Sequence, residues 1–208
     1  MVPVLLSLVM LLPVKNARIN TDLNSYFPSD IPSKINQEKL QKIFGNDEPI
    51  ILFVHTNDIL NKNTLERVRS LSKAFGRMKE FGRVLSLFNL KDIKSEDGFM
   101  VVNPAVKHIP DSESGREKLR KQIRNNDLAY GTVVSHDFRY TLIVLFPTQN
   151  IADQKLFDLI NEQLVKFPGN EEILLNGTPY MRYEIQRKAT RDLAILLPVG
   201  LMVMILFL

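Results

Sequence analysis

The chain begins and ends with apolar segments, and the residues between them follow mixed helical and strand periodicities. Met1–Val14 (MVPVLLSLVMLLPV) and Leu193–Leu208 contain no charged residue. As helices they would be about 21 Å and about 24 Å long, shorter than the roughly 30 Å hydrocarbon core of a bilayer. We therefore expect truncated membrane-spanning helices over residues 1–14 and 191–208. They would flank one loop domain, residues 15–190, in a chain that is a segment of a longer protein.

A cleavable signal peptide is the alternative for the N-terminal segment. Its apolar length suits one, but no Lys or Arg precedes the apolar run and no small-x-small cleavage site follows it. An uncleaved span is therefore the favoured interpretation. The positive-inside rule points the other way, because Lys15, Arg18 and the basic residues of Arg182–Arg191 flank the loop domain. That rule is weak for long translocated domains, so the charges leave the topology open.

Between the two ends, the apolar spacing predicts alternating strands and helices. Pro49–His55 (PIILFVH) is a continuous apolar run, typical of a buried central strand. In Thr64–Phe81, apolar residues recur every three or four positions, which predicts an amphipathic helix capped within Asn61–Asn63. The same reasoning predicts helices over Pro32–Phe44, Ser112–Asn126 and Ala152–Phe167, and strands over Arg83–Leu90, Gly131–Ser135, Arg139–Phe146 and Glu172–Asn176.

The order of these elements indicates a fold. If residues 91–130 are an insertion, the remainder reads strand, helix, strand, strand, helix, strand. This is the split βαβ, ferredoxin-like arrangement of an α+β domain, with both helices on one face of a four-stranded antiparallel sheet. We expect Ile50–His55 and Thr141–Phe146 to be its central strands. Within the insertion, Lys91–Pro110 is expected to contain at most a short strand.

Composition adds few constraints. The chain has no cysteine, which excludes disulfides and thiolate chemistry, and its net charge of +4 does not by itself indicate a nucleic-acid ligand. Basic residues cluster twice. We interpret both clusters as solvated helix faces, with lipid head groups as the alternative ligand. The clusters are Arg116, Lys118, Arg120, Lys121 and Arg124, and then the residues of Arg182–Arg191.

No catalytic constellation is visible. His55, His108 and His136 are far apart in sequence, and no phosphate-binding loop, dinucleotide fingerprint or nucleophile elbow occurs. The sequence therefore predicts a protein that is not an enzyme, with no catalytic, cofactor-binding or metal-binding residue, and leaves substrate-binding residues unknown. Asp192 beside Arg191, at the start of the last apolar run, predicts an interfacial ion pair, with a place in an ion path as the alternative.

Three stretches resemble a known family. TDLNSYFPSDIPS (Thr21–Ser33) resembles the start of the large extracytoplasmic loop in the resistance-nodulation-division (RND) superfamily, in particular its MMPL-like predicted exporters. LAYGTVVSHDFRYTLIVLFP (Leu128–Pro147) is similar to the hairpin and strand of that loop, with Phe138 where the family usually has glycine. GTPYMRYEIQRKATRDLAILLP (Gly177–Pro198) resembles the closing helix that continues into the second span. The three occur in the family's order and together extend over the chain.

The resemblance implies a function. Such proteins are proton-driven exporters of lipids or other hydrophobic molecules, with duplicated halves of about six spans each and ferredoxin-like porter domains outside the cytoplasm. It implies an inner (plasma) membrane location, with the soluble domain on the extracytoplasmic or periplasmic side. Implied partners are the membrane, a lipid or hydrophobic substrate and the rest of the transporter chain. A second copy of the transporter or a periplasmic accessory protein is a further implied partner. Nucleic acid is not an implied partner. The family's proton-relay acids lie mainly in the fourth span, outside this sequence.

A different class of protein stays open. A membrane-anchored, non-enzymatic binding or accessory module, complete as given, would also combine two apolar ends with a loop domain. The apolar length missing at both ends disfavours it.

Overall fold

A computed structural model of the chain describes residues 28, 30–36, 39, 48–96, 99–148 and 151–207, with the backbone alone described for 92–96 and 99–103. The predicted span over residues 1–14 and most of the predicted helix over Pro32–Phe44 lie outside the described residues; within that helix, residues 32–36 are helical. The chain divides into two compact units, Glu38–Tyr180 and Met1–Gln37 with Met181–Leu208.

The described elements are mixed α and β. In chain order they are β1 (Ile50–His55), α1 (Lys62–Phe75), β2 (Phe81–Ser86), β3 (Lys91–Glu96), β4 (Phe99–Pro104), α2 (Glu113–Arg124), β5 (Tyr140–Pro147), α3 (Asp153–Lys166), β6 (Glu172–Asn176) and α4 (Thr178–Phe207).

Four of the strands form one antiparallel sheet in the order β2-β5-β1-β6. The register pairs Leu52 of β1 with Ile143 of β5 on one side and with Leu175 of β6 on the other. β1 and β5 are therefore the central strands, as their continuous apolar sequences predict. The predicted antiparallel α+β sheet is confirmed.

One face of this sheet carries the core. Ile50, Leu52 and Val54 alternate with less buried residues along β1, and register aligns them with buried residues of β5. α1 contacts α3, β2 and β5, so the apolar stripes of the two helices pack together against the buried face. The buried helix residues are Leu65, Val68, Leu71 and Phe75 of α1 and Leu156, Phe157 and Ile160 of α3.

The caps set the ends of α1. The Asn61 side chain accepts a hydrogen bond from the amide of Asn63 at 3.1 Å, as the predicted N-cap requires. The helix ends at Phe75, not at Phe81 as predicted, because Gly76 caps it and residues 76–80 form turns. Phe81 instead begins β2, where its ring meets that of Phe75 edge-on at 5.6 Å.

Three further predictions need correction. β2 spans Phe81–Ser86 rather than Arg83–Leu90, because residues 87–89 form a turn. Lys91–Pro110 holds not a short strand at most but the hairpin β3–β4, a two-stranded sheet of its own. Gly131–Ser135 is not a strand; residues 131–133 form turns, and Val134 makes isolated bridges to Tyr130 and Thr141.

The inserted segment has a core of its own. Leu119 and Ile123, four residues apart on one face of α2, pack into a second cluster of buried residues. This cluster includes residues just after β1 and just before β5, so the insertion is packed against the sheet domain. Its members are Ile59, Leu60, Leu65, Leu87, Ala105, Val106, Leu119, Ile123, Ala129, Val133, Val134 and Phe138.

The last element, α4, is a continuous helix of 30 residues with Pro198 inside it. Its most apolar window has a mean hydropathy of 1.9, and none of that window is buried. By length and composition α4 could cross a membrane, since 30 residues rise about 45 Å. Its large apolar residues between Leu193 and Phe207 are exposed, which is unfavourable in water.

Candidate functional site

The direct connection between β6 and α4 is tightly constrained. Only Gly177 separates β6 from α4, and it has φ +117°. A Cβ atom at this position would lie 2.2 Å from the carbonyl oxygen of Pro49, directly before β1. Both the left-handed backbone and the lack of space require glycine. The single residue between β6 and α4 is therefore restricted both in conformation and in side-chain size.

The first turn of α4 is held by the domain beneath it. Pro179 is buried at a helix start, where its fixed φ and missing N–H are tolerated. The ring of Tyr180 meets the ring of Phe157 on α3 at 5.5 Å in an edge-on arrangement. The Gly177 amide also donates to the Asn176 side-chain oxygen at 2.7 Å. These contacts hold the first turn of α4, residues 178–180, against the sheet domain.

At the other end of β6 there is a partly buried ion pair. Arg67 of α1 donates from Nη1 to Glu171 Oε2 at 2.7 Å, and the two side chains are 10% and 7% exposed. The Arg67 Nε donates to the carbonyl oxygen of Phe167, the C-cap of α3, at 2.8 Å. Thr64 donates its hydroxyl hydrogen to Glu171 Oε1 at 2.6 Å. One guanidinium thus joins α1, the end of α3 and the residue before β6.

The pair affects the ionisation of Glu171. Burial disfavours the charged carboxylate, but the hydrogen bonds from Thr64 and Arg67 outweigh it, so the pKa of Glu171 is lowered. Gly169 leaves room for the pair, since a Cβ there would lie 2.3 Å from Glu171 Oε2. We call the stretch from Glu171 to Tyr180, with Arg67 and Pro49 against it, the junction.

The turn before β5 contains a phenylalanine in a backbone conformation that favours glycine. Phe138 has φ +59°, in the left-handed region, yet it is only 1% exposed. Asp137 accepts from the Ser135 hydroxyl and the Arg139 amide, and these bonds lower its pKa. Arg120 stacks over the Phe138 ring at 4.6 Å. The phenylalanine therefore fills the insertion core from a glycine-type position.

The histidines do not come together in a catalytic group. His55 lies 3.2 Å from Glu172 and stacks on Tyr140 with ring centres 4.5 Å apart. His136 packs against Tyr130, and His108 is exposed. Among the residues that the structure describes, no group of three or more His, Asp or Glu side chains could hold a metal ion.

The basic cluster on α2 is only partly the predicted solvated face. Arg120 pairs with Asp58 at 2.9 Å and with Glu117 at 3.1 Å, and Arg116 pairs with Glu113. Lys118 and Lys121 are exposed and pair with no acidic side chain that the structure describes. Two of the five basic residues in this cluster therefore form ion pairs in the structure.

The basic cluster on α4 is built around one acid. Arg187 and Lys188 both reach Glu184, at 2.9 Å and 3.7 Å. Asp192 is exposed, and in the described part of the chain it forms no ion pair with Arg191. The predicted interfacial pair of Asp192 with Arg191 is therefore not formed here.

Sequence reasoning missed the ion pair of the junction. Arg67 and Glu171 are 104 residues apart, and a charged side chain on a helix is ordinarily solvated. The sequence signal that could have pointed to this pair is Gly169 with Glu171, which lie between the end of α3 and the start of β6. No protein-family model matches the chain, and no curated protein sequence matches it. The function is therefore inferred from the junction and the fold.

Proposed function

We propose that this chain is the first extracytoplasmic porter-type domain of an RND-superfamily exporter, with α4 entering the membrane as its second span. The exporter would move lipids or other hydrophobic molecules and draw on the proton gradient through spans outside this sequence. The observation that carries the proposal is the junction, which joins a four-stranded sheet directly to a long apolar helix.

The sheet topology supports the porter-type assignment. With β3, β4 and α2 set aside as an insertion, the elements run strand, helix, strand, strand, helix, strand, and the sheet order is β2-β5-β1-β6. This is the order of a split βαβ, ferredoxin-like domain, the fold of porter domains in the family that the sequence resembles. The fold alone does not imply the function, since many unrelated proteins use it.

The proposed mechanism is conformational coupling rather than catalysis. A rigid helix transmits displacement to a domain only if one of its ends is held by that domain. The contacts of Gly177, Pro179 and Tyr180 hold the N-terminal end of α4. A movement of the spans would then tilt β6 and the sheet as one body. The pair Arg67–Glu171 would carry the tilt to α1. A substrate cleft would thereby alternate between membrane-facing and outward-facing access.

The test is to break the helix between the junction and the apolar segment in the full transporter. Gln186 and Thr190 are exposed in α4, so replacing them removes no buried contact. Gln186→Pro with Thr190→Pro interrupts the helix, whereas alanine at both positions preserves it. We expect the proline variant to lose export of a fluorescent lipid or dye substrate, and the alanine variant to retain it.

The readout separates coupling from misfolding. Both variants should reach the membrane at wild-type levels and show wild-type resistance of residues 48–176 to limited proteolysis. Undiminished export by the proline variant would refute coupling through α4. If no substrate of the exporter class were exported even by the wild-type protein, the anchored binding module would be the better account.

A further inference from the structure

A groove of about 570 Å³ lies between the C-terminal half of α1 and the segments that lead into and out of the β3–β4 hairpin. Two basic residues of α1, Arg69 and Lys73, and Arg77 in the turn after it line one wall, and Lys107 lines the other. Phe88, half-buried, and Val106, buried, contribute apolar surface. The volume is in the range of small-molecule sites.

The charges of this groove are unbalanced. Arg69 and Lys73 are four residues apart on one side of α1, Arg77 follows in the turn after the helix, and these like charges repel one another. None of them, nor Lys107, forms an ion pair with an acidic side chain in the described part of the chain. The opposite pattern holds nearby, where Arg67 and Arg120 each have carboxylate partners.

Helix electrostatics explains only part of this pattern. The C-terminal end of a helix favours cations, which accounts for Lys73 and Arg77. Arg69 lies in the middle of α1, and Lys107 lies in a loop, so the helix end stabilises neither. Four like charges that converge on one concavity without acids raise its electrostatic potential and favour a multiply charged anion.

We propose that this groove binds an organic phosphate, with the phosphate among the four basic side chains and an apolar part against Phe88 and Val106. Arginine pairs with phosphate through two parallel hydrogen bonds, and lysine adds a point charge. The phosphate ester could come from a lipid head group or from a soluble metabolite, and the same contacts serve both. This site does not depend on the exporter proposal, because every residue that forms it belongs to Glu38–Tyr180.

The test is calorimetric titration of the full chain in neutral detergent with dihexanoyl phosphatidic acid, phenyl phosphate and uncharged dihexanoylglycerol. We expect both phosphates to bind and dihexanoylglycerol not to bind. Arg69→Gln with Lys107→Gln removes one cation from each wall and should weaken phosphate binding by about tenfold or more. Lys118→Gln with Lys121→Gln, on exposed positions of α2, changes the net charge equally and should leave binding unchanged.

The comparison of these ligands distinguishes a lipid head group from a soluble phosphate ester, and either of them from an acidic protein segment. Tighter binding of dihexanoyl phosphatidic acid than of phenyl phosphate points to a lipid head group, and equal binding points to a soluble phosphate ester. Equal losses in both paired variants would overturn the site, because they would show a diffuse charge effect. Binding of an octaglutamate peptide but of neither phosphate would overturn it in favour of an acidic protein segment. Circular dichroism of each variant verifies folding.

Discussion

Replacement of Gly177 by alanine tests whether the junction is as constrained as its geometry indicates. The added Cβ meets two obstacles: the left-handed φ of +117° and the carbonyl oxygen of Pro49 at 2.2 Å. A residue held in a sparsely populated backbone region costs about 1–3 kcal/mol. Overpacking against a backbone that cannot move freely costs about 1–3 kcal/mol more. We therefore expect Gly177→Ala to lower the free energy of unfolding by about 2–6 kcal/mol.

Gly200→Ala is the matched control. No atom lies within 4 Å of a Cβ at Gly200, and the residue is inside α4. Alanine is the better helix former by about 1 kcal/mol, so this variant should be no less stable than the wild type. Both glycines lie next to or within α4, yet alanine should destabilise the protein at position 177 and should not do so at position 200.

The assay is urea unfolding of the full chain in mild detergent, followed by circular dichroism at the helix band, since the chain has no tryptophan to report fluorescence. A fall in the unfolding midpoint for Gly177→Ala without a change in slope would indicate a loss of stability. If Gly177→Ala were as stable as the wild type, the backbone at position 177 would tolerate a side chain, and the junction would not be constrained in the way its geometry indicates.

Two further predictions concern other parts of the domain. Arg67→Met leaves the partly buried Glu171 without its cation and should cost about 1–3 kcal/mol of stability. Folding lowers the pKa of Glu171, so its contribution to stability is present above the ordinary glutamate pKa and is lost as pH falls through the pKa of the folded state. The Glu171→Gln variant should therefore lose less stability than the wild type when the pH is lowered. An identical dependence of stability on pH in the two proteins would contradict this prediction. Phe138→Gly relieves a left-handed backbone strain of about 1–2 kcal/mol but removes a buried ring worth about 3–5 kcal/mol. The melting temperature should therefore fall, and a rise would refute the role of Phe138 in the core.

Local patterns were sufficient for the elements whose sequence has one clear period. The uninterrupted apolar run of β1 predicted a central strand, and β1 is paired on both edges, although only alternate residues are fully buried. Asn61 predicted the start of α1 through its capping side chain, and Ser112 did the same for α2. The predicted strand Glu172–Asn176 agrees with β6.

Other features depend on contacts that a local pattern does not encode. Lys91–Glu96 (KDIKSE) is polar and lacks a clear alternation, so β3 became visible only through its partner Phe99–Pro104. The pair Arg67–Glu171 and the groove between Arg69 and Lys107 join residues far apart in sequence. The fold therefore brings together two groups of charged residues about which the local sequence pattern says nothing.

The central claim is that this chain is one domain of a larger exporter, and the most direct measurement is the coding sequence on both sides of it. The account predicts an open reading frame that continues past Leu208 into about ten further membrane spans, with acidic residues inside the fourth span, where they could relay protons. A start codon at Met1 together with a stop codon directly after Leu208 would contradict it. The domain would then be a short anchored module, and its function would have to be sought in binding rather than in export.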